Sequence, residues 1–534
     1  MTATGGYDVV VIGSGCTGGT AAWRLCRAGV RVLLLEAGGH VSAEKSQPDP
    51  ALVTTLKRAW RAMVSRRQHT QSLHPAYWVY HPRLFVDDKR HPYSTPEGRP
   101  FAWIRGRQVG GRSLTWAGLA LRFSPYELQD WPVSYESLAP YYDDVERVMG
   151  ICGAPDHLPQ LPDGAFRGAK PLTTAESLFG ARIASRWPDR RVIAARGVDE
   201  ATQGGWSLKT SLGSTLALAQ RTGLLEIQDQ SIARRLLVDS TGRVSGVEVV
   251  DGRTKVCRVI PARTVVVCAS TLESVKLLLN SVSKQHRGGL GNSSGLLGRY
   301  IMNKVSRSVT FVMELDHAAP LGPLSASESF VIPRYENLGT TTAGLRGGFG
   351  MWGAIQRLAV PQALRKADAP GLVFGLLIGY GECLPYVDNQ VTLDRAVTDE
   401  WGNPTLRIDV RWRENEELMG ERIREDLLAM VATAGGRIID SPPPALVRPM
   451  VERVSKAGAI PGRYVHEVGG ARMGTSSADS VVNPYGQLWD STNVFVTDGA
   501  CWPTAGWQNP TLTMMAMTAR SCDFLARRLA AGEL

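Results

Sequence analysis

Residues 7–39, YDVVVIGSGCTGGTAAWRLCRAGVRVLLLEAGG, admit few folds. DVVVIG is a β-branched run suited to a strand buried on both faces. Gly13, Gly15 and Gly18 follow as GxGxxG, a helical pattern runs from Thr20 to Ala28, and VRVLLLE reads as a second strand ending at Glu36. Gly13 permits the tight turn, Gly15 lets backbone approach a pyrophosphate, and Gly18 lets the helix pack against the strand. A helix N-terminus presents free N–H groups and a positive dipole end to phosphates. Glu36, 18 residues after Gly18, stands where a carboxylate accepts a ribose hydroxyl. This complete β–α–β context predicts a dinucleotide-binding unit, and leaves the choice between FAD and NAD open.

The rest of the chain is long enough for two to four domain-sized units, at 534 residues. WIRGRQVGGRSLTWAGLALRF (103–123) places four glycines in one loop, which implies close backbone approach to something. A Ser-capped amphipathic helix is expected over 134–150, and an antiparallel hairpin over 224–251 with its turn at Ser240–Gly242. ARTVVVCASTLESVKLLLNS (262–281) reads as a strand and helix returning to the first sheet. Residues 305–460 mix strands (SRSVTFVMEL, PTLRIDVRW) with a long helix, NEELMGERIREDLLAMVATAGG, as a separate antiparallel sheet with a helix. A helix is also expected within 51–65, a Pro-rich turn at 440–446, and a mobile Gly-rich gate at 345–357.

Composition excludes several function classes. The net charge is +10, yet the basic residues are scattered apart from KRAWRAMVSRR (57–67), which reads as a solvated helix face. No nucleic-acid-binding motif accompanies it. The eight cysteines lack CxxC spacing, and His69, His74, His81 and His91 are too irregular for a metal site. No apolar stretch long enough for a membrane span and no signal peptide is apparent, so a reduced, soluble, cytoplasmic protein is expected.

Near the end, NVFVTD is a strand. Asn509 is then expected at the N-cap and Pro510 at the first position of a last helix that includes Thr511. HEVGGARMG (466–474) sets the last histidine beside two glycines. Taken alone, His466 reads as a core histidine bonded to backbone, Asn509 as a helix cap, and Asp498 as a strand-end turn residue.

These segments together resemble the glucose–methanol–choline family of FAD oxidoreductases. The resemblance rests on the fingerprint, GRQVGGRSLTWAG, HEVGGARMG and TDGACWPTAGWQNPTLTMMAM, which occur in the family's order. The C-terminal motifs are most similar to those of pyranose oxidases. The resemblance implies an α/β fold: a discontinuous Rossmann-like FAD-binding domain (1–150, 201–304 and 461–534) and an α+β substrate-binding domain with an antiparallel sheet (151–200 and 305–460). It makes His466 and Asn509 the catalytic pair. His466 would take the hydroxyl proton of a secondary ring alcohol at C2 or C3 of a pyranose or glycoside, while hydride passes to flavin N5. An imidazole suits this because its unperturbed pKa is about 6.5. FAD would be held by Gly13, Gly15, Gly18, Glu36, Arg107, Gly110, Gly111, Ser113, Thr115, Trp116, Ala117, Asp498, Gly499, Asn509, Pro510 and Thr511. Fungal pyranose oxidases carry a flavin-linked histidine where this chain has Thr115, so FAD is expected to be non-covalent. Ala117 replaces a threonine of those enzymes. The chain also lacks their arm-like insertion, which favours a monomer. Electrons would pass to O2, giving hydrogen peroxide, or to a quinone. The rivals are a sterol or other alcohol oxidase, an acceptor-dependent dehydrogenase, an NAD enzyme and a non-catalytic flavin sensor.

Overall fold

The computed structural model describes residues 6–43, 67–73, 78, 81–317, 319–339, 342, 344–361, 364, 371–439 and 460–534. The expected helix within 51–65, the basic patch apart from Arg67, His74 and the 440–446 turn lie outside them.

Five parallel strands form the first layer, in the order Val494–Val496, Val265–Val267, Val9–Ile12, Val32–Leu35 and Leu225–Gln228. Val9–Ile12 is central and fully buried, as its β-branched composition requires. The segment 262–281 returns to this sheet as expected, pairing Val10 with Val265 before the helix Thr271–Asn280. The helix after the fingerprint is Cys16–Arg27 and starts four residues before the apolar pattern does, with Gly18 inside its first turn. It packs on the last helix, Thr511–Ala530. The helix expected over 134–150 is Tyr135–Met149, with Ser134 accepting from the Ser137 N–H and Gly150 left-handed at its end.

One expectation is corrected here. Leu225–Gln228 does not belong to the hairpin but pairs in parallel with Val32–Leu35. The antiparallel meander is Ser231–Val238, Val244–Asp251 and Cys257–Pro261. Alternation alone cannot reveal which neighbour a strand will find.

The second layer is a six-stranded antiparallel sheet. Its order is Arg437–Ile438, Val305–Glu314, Leu372–Gly381, Phe349–Ile355, Phe330–Ile332 and Ile193–Ala194. Along Leu372–Gly381 the residues alternate in burial. Gly379 and Gly381 face the helix Glu414–Thr433, where a Cβ would lie 2.2 Å from Ile423 or 2.6 Å from Met419. Leu376, Ile378 and Tyr380 face a cavity instead. The expected gate at 345–357 is not a loop. Phe349–Ile355 is bonded on both sides within this sheet, in register with Leu372–Gly381 and Phe330–Ile332. The strand in PTLRIDVRW, Pro404–Asp409, stands apart in a hairpin with Gln390–Thr398. Val391, Leu406 and Ile408 of that hairpin join the core around the parallel sheet.

Candidate active site

A cavity of about 830 Å³ runs from the Gly13–Cys16 turn and Glu36 to His466 and Asn509. At its first end Glu36 is buried and accepts from the Ser14 N–H (3.1 Å), the Ser14 hydroxyl (2.5 Å) and the Gly38 N–H (2.8 Å). Burial raises its pKa, and these hydrogen bonds oppose that shift. The 103–123 loop closes over the turn as a 3-10 segment, Gly111–Thr115. The Gly110 N–H donates to the Ser14 hydroxyl at 2.9 Å. The Ser211 N–H donates to the Ser113 hydroxyl at 3.0 Å, and the Ser211 hydroxyl to the Ser14 carbonyl at 2.9 Å. Arg107 pairs with Glu273 at 2.7 Å, and its other terminal nitrogen, Nη1, is buried without a hydrogen-bond partner.

This end fits a dinucleotide. A Cβ at Gly15 would meet nothing within 4 Å, so the turn's N–H face is open to the cavity. The unsatisfied Arg107 nitrogen is a buried donor in that wall. Arg107, Gly111, Ser113, Thr115, Trp116 and Ala117 all line the space. Gly18, Gly110 and Gly499 do not, and serve packing beneath it.

At the other end the Asn509 amide nitrogen lies 3.3 Å from His466 Nε2. With the amide as donor, Nε2 keeps a lone pair and the ring proton sits on Nδ1. The Tyr380 ring lies edge-on, 6.2 Å from the imidazole. Val465, just before His466, has φ 56°, a left-handed conformation that a β-branched residue seldom adopts. The expected capping role of Asn509 is corrected. The last helix begins at Thr511, Pro510 precedes it with φ −75°, and no side chain caps it. Asn509 therefore stands one residue too early to cap, which leaves its amide to meet His466.

The glycines of HEVGGARMG act behind the cavity. Neither Gly469 nor Gly470 lines the cavity. Both are left-handed, and a Cβ would lie 2.1 Å from the Tyr300 carbonyl or 2.6 Å from Val275. They let the segment pack onto protein behind the site. Asp498 lines the cavity and accepts from the Ser274 hydroxyl at 2.5 Å and the Ala500 N–H at 3.0 Å. Burial pushes its pKa up to about 6.

Glu467 lines the cavity next to His466 and is half-buried. Burial pushes its pKa up to about 7, with Arg112 pulling the other way. A carboxyl raised above its unfolded value contributes stability below the unfolded pKa, and loses it as pH rises through the folded one. Wild type is thus expected to lose stability relative to Glu467→Gln between pH 5 and 8, by about 1–2 kcal/mol after allowing for partial exposure. Thermal melts at both pH values check this; a gap that stays constant defeats it.

His91 is buried and lies 3.0 Å from Glu400. Burial and the charges of Arg107 and Arg105 keep it neutral. Among the described residues no group of three or more His, Cys, Asp or Glu could hold a metal ion, and no helix is long and apolar enough to cross a membrane. Sequence reading missed Ser14, Ser211, Glu273, Tyr380, Tyr464 and Lys304. Only Tyr380 had a signal, the period-2 run Leu376, Ile378, Tyr380.

GMC oxidoreductase family models match residues 7–301 and 385–518. The chain belongs to the GMC oxidoreductase family. GMC oxidoreductases bind FAD, and this chain is an oxidoreductase acting on alcohol or sugar groups. It is 28% identical to the 2-methyl-1,2-propanediol dehydrogenase of Mycolicibacterium austroafricanum, over 98% of this chain and 95% of that one. It is 27% identical to the paromamine 6'-oxidase of Streptomyces fradiae, over 97% and 91%. It is 26% identical to the C-glycoside 3-oxidase of Arthrobacter globiformis, over 99% and 96%. The crystal structure of pyridoxine 4-oxidase from Mesorbium loti shares the fold, with TM-score 0.61, 20% identity and coverage of 98% and 99%.

Proposed function

We propose that this GMC oxidoreductase oxidises a secondary ring hydroxyl, at C2 or C3, of a pyranose sugar or glycoside to the keto sugar. The reading rests on the His466–Asn509 pair, 3.3 Å apart on the wall of a cavity whose far end fits a dinucleotide. The C-glycoside 3-oxidase and paromamine 6'-oxidase relatives support a sugar substrate. FAD, when bound, would supply the redox chemistry: a hydride acceptor for the alcohol carbon and a route for the electrons to O2 or a quinone. When the substrate hydroxyl replaces the Asn509 amide at the Nε2 lone pair, His466 accepts the hydroxyl proton, which makes the carbon a hydride donor. Asn509 holds the alcohol oxygen beside that base. Glu36 and Arg107 would hold the nucleotide end of FAD, and the Asp498 turn and Thr511 helix start would hold its ring end. Thr115 offers no nitrogen for a covalent flavin bond, so the cofactor is held non-covalently. The enzyme works as a cytoplasmic monomer.

One observation favours a second reading, an alcohol with an apolar body. Ser308, Ile378 and Trp352 lie in one cross-sheet row over the cavity, and Leu324 and Leu376 add to it. That roof offers few hydrogen-bonding groups to a free sugar. A substrate screen decides between them: free glucose, O- and C-linked glucosides and apolar secondary alcohols, with NMR assignment of the new carbonyl and measurement of peroxide. Sugar or glycoside turnover yielding a C2 or C3 ketone is expected. Turnover confined to the apolar alcohols would replace the sugar reading by the second.

A further inference from the structure

Lys304 is buried, at 2% exposure, at the foot of the strand Val305–Glu314. Its ammonium donates to the Trp507 carbonyl at 2.5 Å and also to the Gln508 carbonyl. These are the two residues before Asn509. A charge in such a place is costly unless it is paired and hydrogen-bonded. Burial pulls its pKa well below the usual lysine value, and Glu382 and Glu127, which both bind Arg334 (3.2 and 3.3 Å), oppose that shift. The Lys304 nitrogen also lies 5.7 Å from the Tyr380 ring, whose edge faces His466. The other side of the loop is fixed as well. Trp507 packs on Gly350 so closely that a Cβ there would lie 2.3 Å from the indole. The segment 507–509 is thus held against the six-stranded sheet by the Lys304 hydrogen bonds and the Trp507 ring.

We propose that Lys304 is a positioning residue: it fixes the peptides of Trp507 and Gln508 so that the Asn509 amide meets His466 and the substrate oxygen. This rests on the proposed role of the His466–Asn509 pair. A lysine suits the task because its one terminal nitrogen can donate to two carbonyls at once. Misplacing a substrate-orienting group by even an ångström can slow turnover by about 100-fold.

The test is a double-mutant cycle on the FAD-loaded enzyme, with Lys304→Met, Asn509→Ala and the pair. Lys304→Met is expected to lower kcat by about 10- to 100-fold, with KM changed far less and FAD content kept. In the Asn509→Ala background the same substitution is expected to change kcat less than about twofold. Lys304→Gln, which keeps an N–H donor, is expected to recover part of the rate. Multiplicative losses in the double variant would overturn the positioning role while leaving the catalytic pair intact. So would loss of folding in both Lys304 variants. Full activity of Asn509→Ala alone would overturn the pair and this proposal together.

Discussion

His466→Ala is expected to lower kcat by about 10²- to 10⁴-fold, the range that one positioned proton acceptor supplies. FAD content and melting temperature are expected to stay close to wild type. The physical basis is the placement of the ring. His466 Nε2 faces Asn509 at 3.3 Å in the cavity wall, and the ring is not packed within the apolar core. Truncating it opens space towards the cavity and removes little buried apolar area. A histidine that served only to bond backbone would behave oppositely, with a lower melting temperature and unchanged kcat. Turnover, flavin absorbance and a melt on one preparation separate the two. Retention of full kcat would sink the proposed mechanism and favour a flavin-binding sensor.

Gly18→Ala is expected to abolish stable cofactor binding by breaking the fold beneath it. A Cβ at Gly18 would lie 1.8 Å from the Gly13 carbonyl, a backbone atom that cannot swing aside. Alanine in a helix interior gains about 1 kcal/mol over glycine. Overpacking a rigid site costs about 3 kcal/mol or more, and the clash wins. Gly15→Ala makes the contrast. Its Cβ meets no protein atom within 4 Å and points into open space. That variant is expected to melt like wild type as apoprotein, yet hold FAD more weakly. Flavin content and apoprotein melting of both variants check the pair. Equal stability of the two apoproteins would show that Gly18 is not a packing glycine.

Much of the site was legible because its chemistry needs particular residue types in a fixed local order. GxGxxG works through neighbours in sequence, so Gly13, Gly15 and Gly18 could be assigned before any fold was known. His466 and Asn509, 43 residues apart, gained meaning only from a family resemblance. The structure supplies the physical link, a 3.3 Å contact across two loops. The misreadings share one cause. The 345–357 segment resembled a loop because glycine is common there, yet its strand neighbours 372–381 and 330–332 pair with it. Leu225–Gln228 looked like half a hairpin until a parallel neighbour claimed it.

The sequence by itself determined the first β–α–β turn, the carboxylate at its second strand end, the order of the motifs and the absence of a histidine in the 103–123 loop. These are local properties, set by backbone sterics and residue chemistry over a few positions. Tertiary structure alone decided which strands pair, which glycines face a cavity and which face protein, and that a lysine at position 304 reaches the peptides before Asn509. Those outcomes depend on contacts between segments far apart in sequence, such as Lys304 with Trp507 and Gln508, 203 and 204 residues away. No local periodicity encodes them, because they arise only when segments distant in sequence meet in the fold.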